Sequence, residues 1–89
     1  MFAIARFMVP LGDAANFEIQ LDDALAAFSG CTGYVSGEIG QNLDDPTLWH
    51  LSTNWENVGS YRRALSSTRA KLEAIPILAR AIDEPGAYE

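Results

Sequence analysis

The sequence is poor in the residues that most cofactor and nucleic-acid chemistry needs. It has one histidine, His50, and one cysteine, Cys31. A zinc or comparable site draws two to four ligands from a His/Cys cluster, and none is present. A single cysteine excludes an internal disulfide, suits a reducing compartment, and leaves Cys31 to pack as a small hydrophobe. The glycine patterns GxGxxG and GxxxxGK[ST] and the zinc motif HExxH do not occur, so no dinucleotide, phosphate-loop or metalloprotease site is expected, and no cofactor. One histidine placed in a strand also gives no Ser-His-Asp arrangement.

Basic residues are scarce as well, six against twelve acidic, for a net charge of −6. That balance disfavours phosphate backbones, whose binding rests on Lys and Arg displacing counterions. Four of the six basic residues fall in YRRALSSTRAK, a cluster that reads either as a solvated helix face or as a guide for an anionic substrate. No apolar run approaches the roughly 20 residues of a membrane span. The opening MFAIARFMVP has neither a basic n-region nor a small-residue cleavage motif, so the expected location is cytoplasmic and no membrane partner is expected.

What remains is a globular composition, 48% hydrophobic, in 89 residues read as one domain spanning 1–89. A chain of this length buries only about 60–65% of the surface exposed by its unfolded form, so its core is thin and self-association is favoured. FAIARFMV, ended by Pro10-Leu11-Gly12, reads as a strand that is apolar on both faces: Phe2, Ile4 and Met8 on one, Ala3, Ala5, Phe7 and Val9 on the other. Asp13 is placed to cap a helix carrying Phe17, Leu21, Ala24, Leu25 and Phe28 at helical spacing, with Gly30 ending it in the left-handed conformation. A hairpin follows, with strands near 32–41 and 47–55 turning through NLDDP.

The period of two in the second hairpin strand puts Trp49, Leu51, Thr53 and Trp55 on one face and Leu48, His50, Ser52 and Asn54 on the other. Asn57 is a good cap for a helix with the stripe Val58, Tyr61 and Leu65. Ser66-Ser67-Thr68 suggests a break before a second stripe of Leu72, Ile75, Leu78, Ala79 and Ile82. Pro76 predicts a kink or a fresh helix start. AYE at the end suffices for a short edge strand. The order β-α-β-β-α(α)-β is the α+β, ferredoxin-like split βαβ pattern, with a four-stranded antiparallel sheet and helices on one face. The first strand's second apolar face predicts a homodimer with the sheets face to face, Leu48, His50 and Ser52 pointing between them.

On WENVGSYRRAL, IDEPGAYE and the hairpin GYVSGEIGQNLDDPTLWHL, the chain resembles the antibiotic biosynthesis monooxygenase family, whose members are dimeric α+β barrels. The family pattern of a strand-ending Trp, an acidic residue, a cap and a helix aromatic six residues after the Trp is met by Trp55, Glu56, Asn57 and Tyr61. The resemblance implies that Trp55 and Tyr61 face a cavity between sheet and helices. It also implies that a phenolic or hydroquinone, polyketide-like substrate is oxidised there to a quinone by dioxygen, without metal or flavin. Where the family has an asparagine four residues before that tryptophan, this chain has Leu51. The heme-degrading branch is not matched, because its first-strand asparagine and helix histidine are missing.

Trp55 and Tyr61 orient an aromatic substrate, or they are core aromatics at a strand-to-helix corner. Trp49 and Leu51 line the substrate pocket or belong to the core. Arg6, a charge on an apolar strand, pairs with a carboxylate such as Glu38 or meets a substrate oxyanion. His50 is a hydrogen-bonded residue of the dimer face. The alternative to the enzyme is a non-catalytic dimeric module that binds a small aromatic or lipophilic ligand.

Overall fold

A computed structural model describes all 89 residues. Phe2–Met8 forms strand β1, and Pro10 leads into a 3-10 turn at Leu11–Asp13 that runs directly into helix α1, Ala14–Ser29. Asp13 therefore does not cap α1. Its backbone is already right-handed (φ −100°, ψ −4°), and its carboxylate takes no bond from the helix. Gly30 is also right-handed, at φ −83°. The left-handed residue is Gly33, at φ +89°, where a Cβ would collide with Ser60. The chain reverses after α1 through Cys31, whose carbonyl accepts from Tyr34 N. Strand β2 accordingly starts at Tyr34 and runs to Gln41, two residues later than its sequence pattern suggests.

Strand β3 spans Leu48–Trp55. The hairpin turn is fastened by side chains: Asn42 Oδ1 accepts from the amides of Asp44 and Asp45, and Asp45 Oδ1 accepts from Thr47 N and Oγ1. Asn57 caps helix α2, Val58–Leu65, by accepting from Ser60 N at 2.8 Å. Ser67 caps α3, Thr68–Glu73, in the same way through Ala70 N, at the break that the serines announced. Pro76 sits in the first turn of a separate short helix α4, Ile75–Leu78, where a missing amide costs nothing. Ala87–Tyr88 forms β4.

The sheet is antiparallel in the order β2-β3-β1-β4. Register settles which side chains share a face. Ala3↔Thr53, Ala5↔Leu51 and Phe7↔Trp49 pair on the helix side, where Phe7, Trp49, Leu51, Thr53 and Trp55 are buried against α1 residues such as Phe17, Leu21 and Phe28. Phe2↔Asn54, Ile4↔Ser52, Arg6↔His50 and Met8↔Leu48 pair on the opposite side. That outer face is amphipathic: Phe2, Met8 and Tyr88 are 40–55% exposed, with Arg6, His50, Ser52 and Asn54 among them. The second helical stripe is buried only in part, at Leu78 and Ile82. Leu72 is 73% exposed, while Ala70, Ala74 and Ile77 face the core, because the break at Ser67 and the new start at Pro76 re-phase the helices.

From Ile82 onward the chain returns along the free edge of β1. Ile82 N donates to Arg6 O, Ile4 N donates to Gly86 O, and Ala87 and Tyr88 pair with Ala3 and Phe2. Phe2 and Tyr88 stack with centroids 5.2 Å apart. Gly86 is required by this contact, since a Cβ there would collide with the carbonyl oxygen of Ile4. No helix is long and apolar enough to cross a membrane.

Candidate functional site

The β1/β3 floor, α1, α2 and the returning segment leave a cleft of about 270 Å³ between them. Ala3, Ala5, Leu51 and Thr53 form its floor, Phe28 and Tyr61 one side, and Leu78, Ala81, Ile82, Glu84, Gly86 and Ala87 the other. Ten of its 13 lining residues are hydrophobic, so a ligand would be held mainly by apolar contact, with few polar groups to orient it. Those polar groups are Thr53, Tyr61 and Glu84.

Tyr61 is placed by the Asn57 cap, which starts α2 one turn before it; its amide bonds Asn57 O. Its ring is half-buried and tilts at 55° to Trp55, with centroids 5.9 Å apart. Burial holds the phenol above its ordinary value of 10.0, because the phenolate would lose solvation. At neutral pH it is a neutral hydrogen-bond donor facing an apolar space.

Trp55 stands behind Thr53 and Tyr61 and does not line the cleft. It is 3% exposed and meets Phe28 and Tyr34 edge-on, at 5.9 and 5.6 Å between centroids. Its indole N–H donates to Thr53 Oγ1 at 2.8 Å. Of the two readings open for this residue, the geometry supports a core aromatic that holds up the wall of the cleft.

Trp49 lies outside the cleft too. It is 6% exposed, packed in the core, and its buried Nε1 has no partner in the chain. Leu51 is in the cleft floor, so the position that holds asparagine in the family pattern here presents hydrocarbon. Arg6 sits on the far side of β1 and does not reach the cleft. Its partner is Glu84, not Glu38: Nε and Nη2 reach the two carboxylate oxygens at 2.6 and 2.7 Å. The reason is topological. The returning segment brings Glu84 to the open edge of β1, whereas β2 is separated from β1 by β3. The guanidinium holds the Glu84 carboxyl below its ordinary 4.5, and Glu84 in turn raises Arg6. His50 is on the outer face, with Nδ1 3.4 Å from Ser52 Oγ, separated from Tyr61 by the sheet.

The sequence pattern marks neither Thr53 nor Glu84 as a site residue. A signal for Thr53 was present: a hydroxyl at an inward position between Leu51 and Trp55 must find a hydrogen-bond partner. Glu84 had none, because its contact joins residues 78 apart.

A sequence profile described as antibiotic biosynthesis monooxygenase matches residues 1–72. No curated protein matches the chain. Among solved structures, the fold is similar to that of SnoaB, a cofactor-independent oxygenase from Streptomyces nogalater. The identity is 24%, the TM-score 0.83, and the alignment covers 99% of this chain and 89% of that one. It is also similar to a conserved protein from Methanosarcina mazei Go1, with 17% identity, TM-score 0.77 and 97% and 84% coverage. Rv0793 from Mycobacterium tuberculosis gives 16%, 0.74, 97% and 86%. With the split βαβ sheet, the cleft between sheet and helices and a profile match over residues 1–72, the chain belongs to the antibiotic biosynthesis monooxygenase family.

Proposed function

We propose that the protein is a cofactor-independent monooxygenase that converts an electron-rich phenol, of the polyketide-like or hydroquinone-like kind, to a quinone with dioxygen. The observation that carries this reading is the apolar cleft with the un-ionised Tyr61 phenol on its wall, in a chain of this family. The oxygenase named for the similar Streptomyces nogalater structure supports it.

In this scheme the bound phenol loses its proton to solvent, and the resulting electron-rich ring reacts with dioxygen at the carbon para to its oxygen. The ring peroxide takes a proton back from solvent and the hydroperoxide then loses water together with the hydrogen of that carbon, so one oxygen atom becomes the new carbonyl and the other leaves in water. A hydroquinone, whose para carbon already carries oxygen, is instead oxidised to the quinone with dioxygen leaving as hydrogen peroxide. Dioxygen is the only oxidant. The protein supplies orientation and a dry site. Tyr61 donates a hydrogen bond to a substrate oxygen, and Leu51 and Phe28 pack on the ring faces.

Oxygen uptake with a panel of anthrones and hydroquinones tests the scheme. Turnover above the uncatalysed rate is expected, and none across the panel at several pH values would refute it.

The working assembly in this reading is a homodimer, with the outer sheet faces together and His50 and Ser52 between the subunits. Exposed Phe2, Met8 and Tyr88 on that face support it. Sedimentation at micromolar concentration is expected to show the dimer, and a stable folded monomer would refute it.

Leu51 favours a second reading, a dimeric module that binds a small aromatic or lipophilic ligand without oxidising it. Binding in a thermal-shift screen with no oxygen consumption would select it over the first.

A further inference from the structure

Thr53 is 4% exposed, lies on the floor of the cleft, and accepts the indole N–H of Trp55 at 2.8 Å. A threonine hydroxyl can accept twice and donate once. The acceptor side is engaged by Trp55, and no acceptor in the chain takes the hydroxyl hydrogen. A buried hydroxyl with an unspent donor beside an apolar cavity is poised to donate to whatever polar atom a ligand brings. An oxygen that already accepts a hydrogen bond is also a stronger donor, because the two bonds polarise each other.

We propose that Thr53 Oγ1–H is the donor that holds the substrate's phenolic oxygen as phenolate, with Trp55 as the positioning residue that orients the hydroxyl. This deepens the proposed function and rests on it for the identity of the substrate. The placement is consistent with Leu51: two residues along β3 on the same face, a hydroxyl stands where hydrocarbon cannot serve. Only the substrate O–H proton leaves, to solvent, and no covalent bond to the protein forms.

The test uses p-nitrophenol as an optical probe of phenolate binding, with full-length wild type, T53V, T53S, W55F and the T53V/W55F double variant. In the wild type the bound probe is expected to ionise at a pH lower than the free probe by about one unit, a tenfold preference for phenolate. T53S keeps the shift, whereas T53V loses it, with a roughly 10- to 100-fold fall in kcat/KM on any active phenol. W55F, which leaves the hydroxyl present but less oriented, falls between them.

The double variant separates this role from a structural one. If T53V acts only by stranding the Trp55 indole, removing both partners restores the wild-type shift; if the hydroxyl itself is the donor, the shift stays lost. Restoration in the double variant, an unchanged shift in T53V, or no shift in the wild type would each overturn the proposal. These readouts need no oxygen chemistry. Failure of the oxygen-uptake panel with an intact probe result removes the monooxygenase reading alone, and turnover without a probe shift removes Thr53 alone.

Discussion

Arg6 grips both carboxylate oxygens of Glu84, 78 residues away in sequence, and so ties the inner strand β1 to the segment that walls one side of the cleft. The pair is partly exposed, at 43% and 30%. Its consequence is therefore local order more than global stability, because exposed ion pairs are screened by solvent.

Substituting Glu84→Gln is expected to speed amide hydrogen exchange at Ile82, whose N–H bonds Arg6 O beside the pair. Glu84 titrates below the ordinary carboxylate value of 4.5. The contribution of the pair is thus present above that value and is lost as pH falls through the lower folded one. Wild-type exchange at Ile82 should accelerate over that acidic window beyond its intrinsic trend. An equal acceleration in E84Q would show that the pair does not hold the segment.

Tyr61 carries the opposite dependence. Its folded value is raised above 10.0 by burial, so the stability it contributes is complete below pH 10 and is lost as pH rises through the folded value. Subtracting the alkaline absorbance titration of Y61F from that of the wild type should isolate one phenol with a midpoint above 10. A midpoint at or below that value would place Tyr61 in solvent instead of at the cleft wall.

Gly86→Ala is expected to destabilise the fold by about 1–3 kcal/mol, the usual cost of forcing atoms into a filled space. The collision is with backbone, the Ile4 carbonyl, which cannot rotate away. Denaturant melts measure the loss, and loss of protection at the Ile4 amide, which bonds Gly86 O, would locate it. A melt within about 0.5 kcal/mol of wild type, the range of neutral surface changes, would contradict the close packing described.

Trp55→Ala is expected to cost about 3–5 kcal/mol, since Phe28, Tyr34 and Tyr61 all pack on the ring and Thr53 loses its donor. Asn57→Ala should cost about 0.5–2 kcal/mol through the lost α2 cap. Equilibrium unfolding checks both, and the order matters: a W55A loss smaller than that of N57A would mean that Trp55 is not a core residue.

Local chemistry alone carried much of this architecture. The alternation in Leu48–Trp55 put both tryptophans on the buried face and His50 on the other, because a strand leaves its side chains no other choice. Asn57 and the Ser66-Ser67 break were legible for a similar reason: a cap is a contact within four residues. Asp13 and Gly30 misled where two local solutions compete. A 3-10 turn after Pro10 used the residues that would otherwise form the cap, and the left-handed turn moved on to Gly33, which Ser60 presses against.

The long-range pairings belonged to the tertiary structure. Glu84 rather than Glu38 faces Arg6 because β3 stands between β1 and β2 while the chain end returns to the open edge of β1. Trp55 withdrew behind the cleft because its one polar atom found Thr53 and its faces found Phe28, Tyr34 and Tyr61. Periodicity assigns a side chain to a face, but whether it lines a cavity or lies beneath one depends on what packs over it. Here that was settled by α1, α2 and the returning segment, elements up to half the chain and more away in sequence.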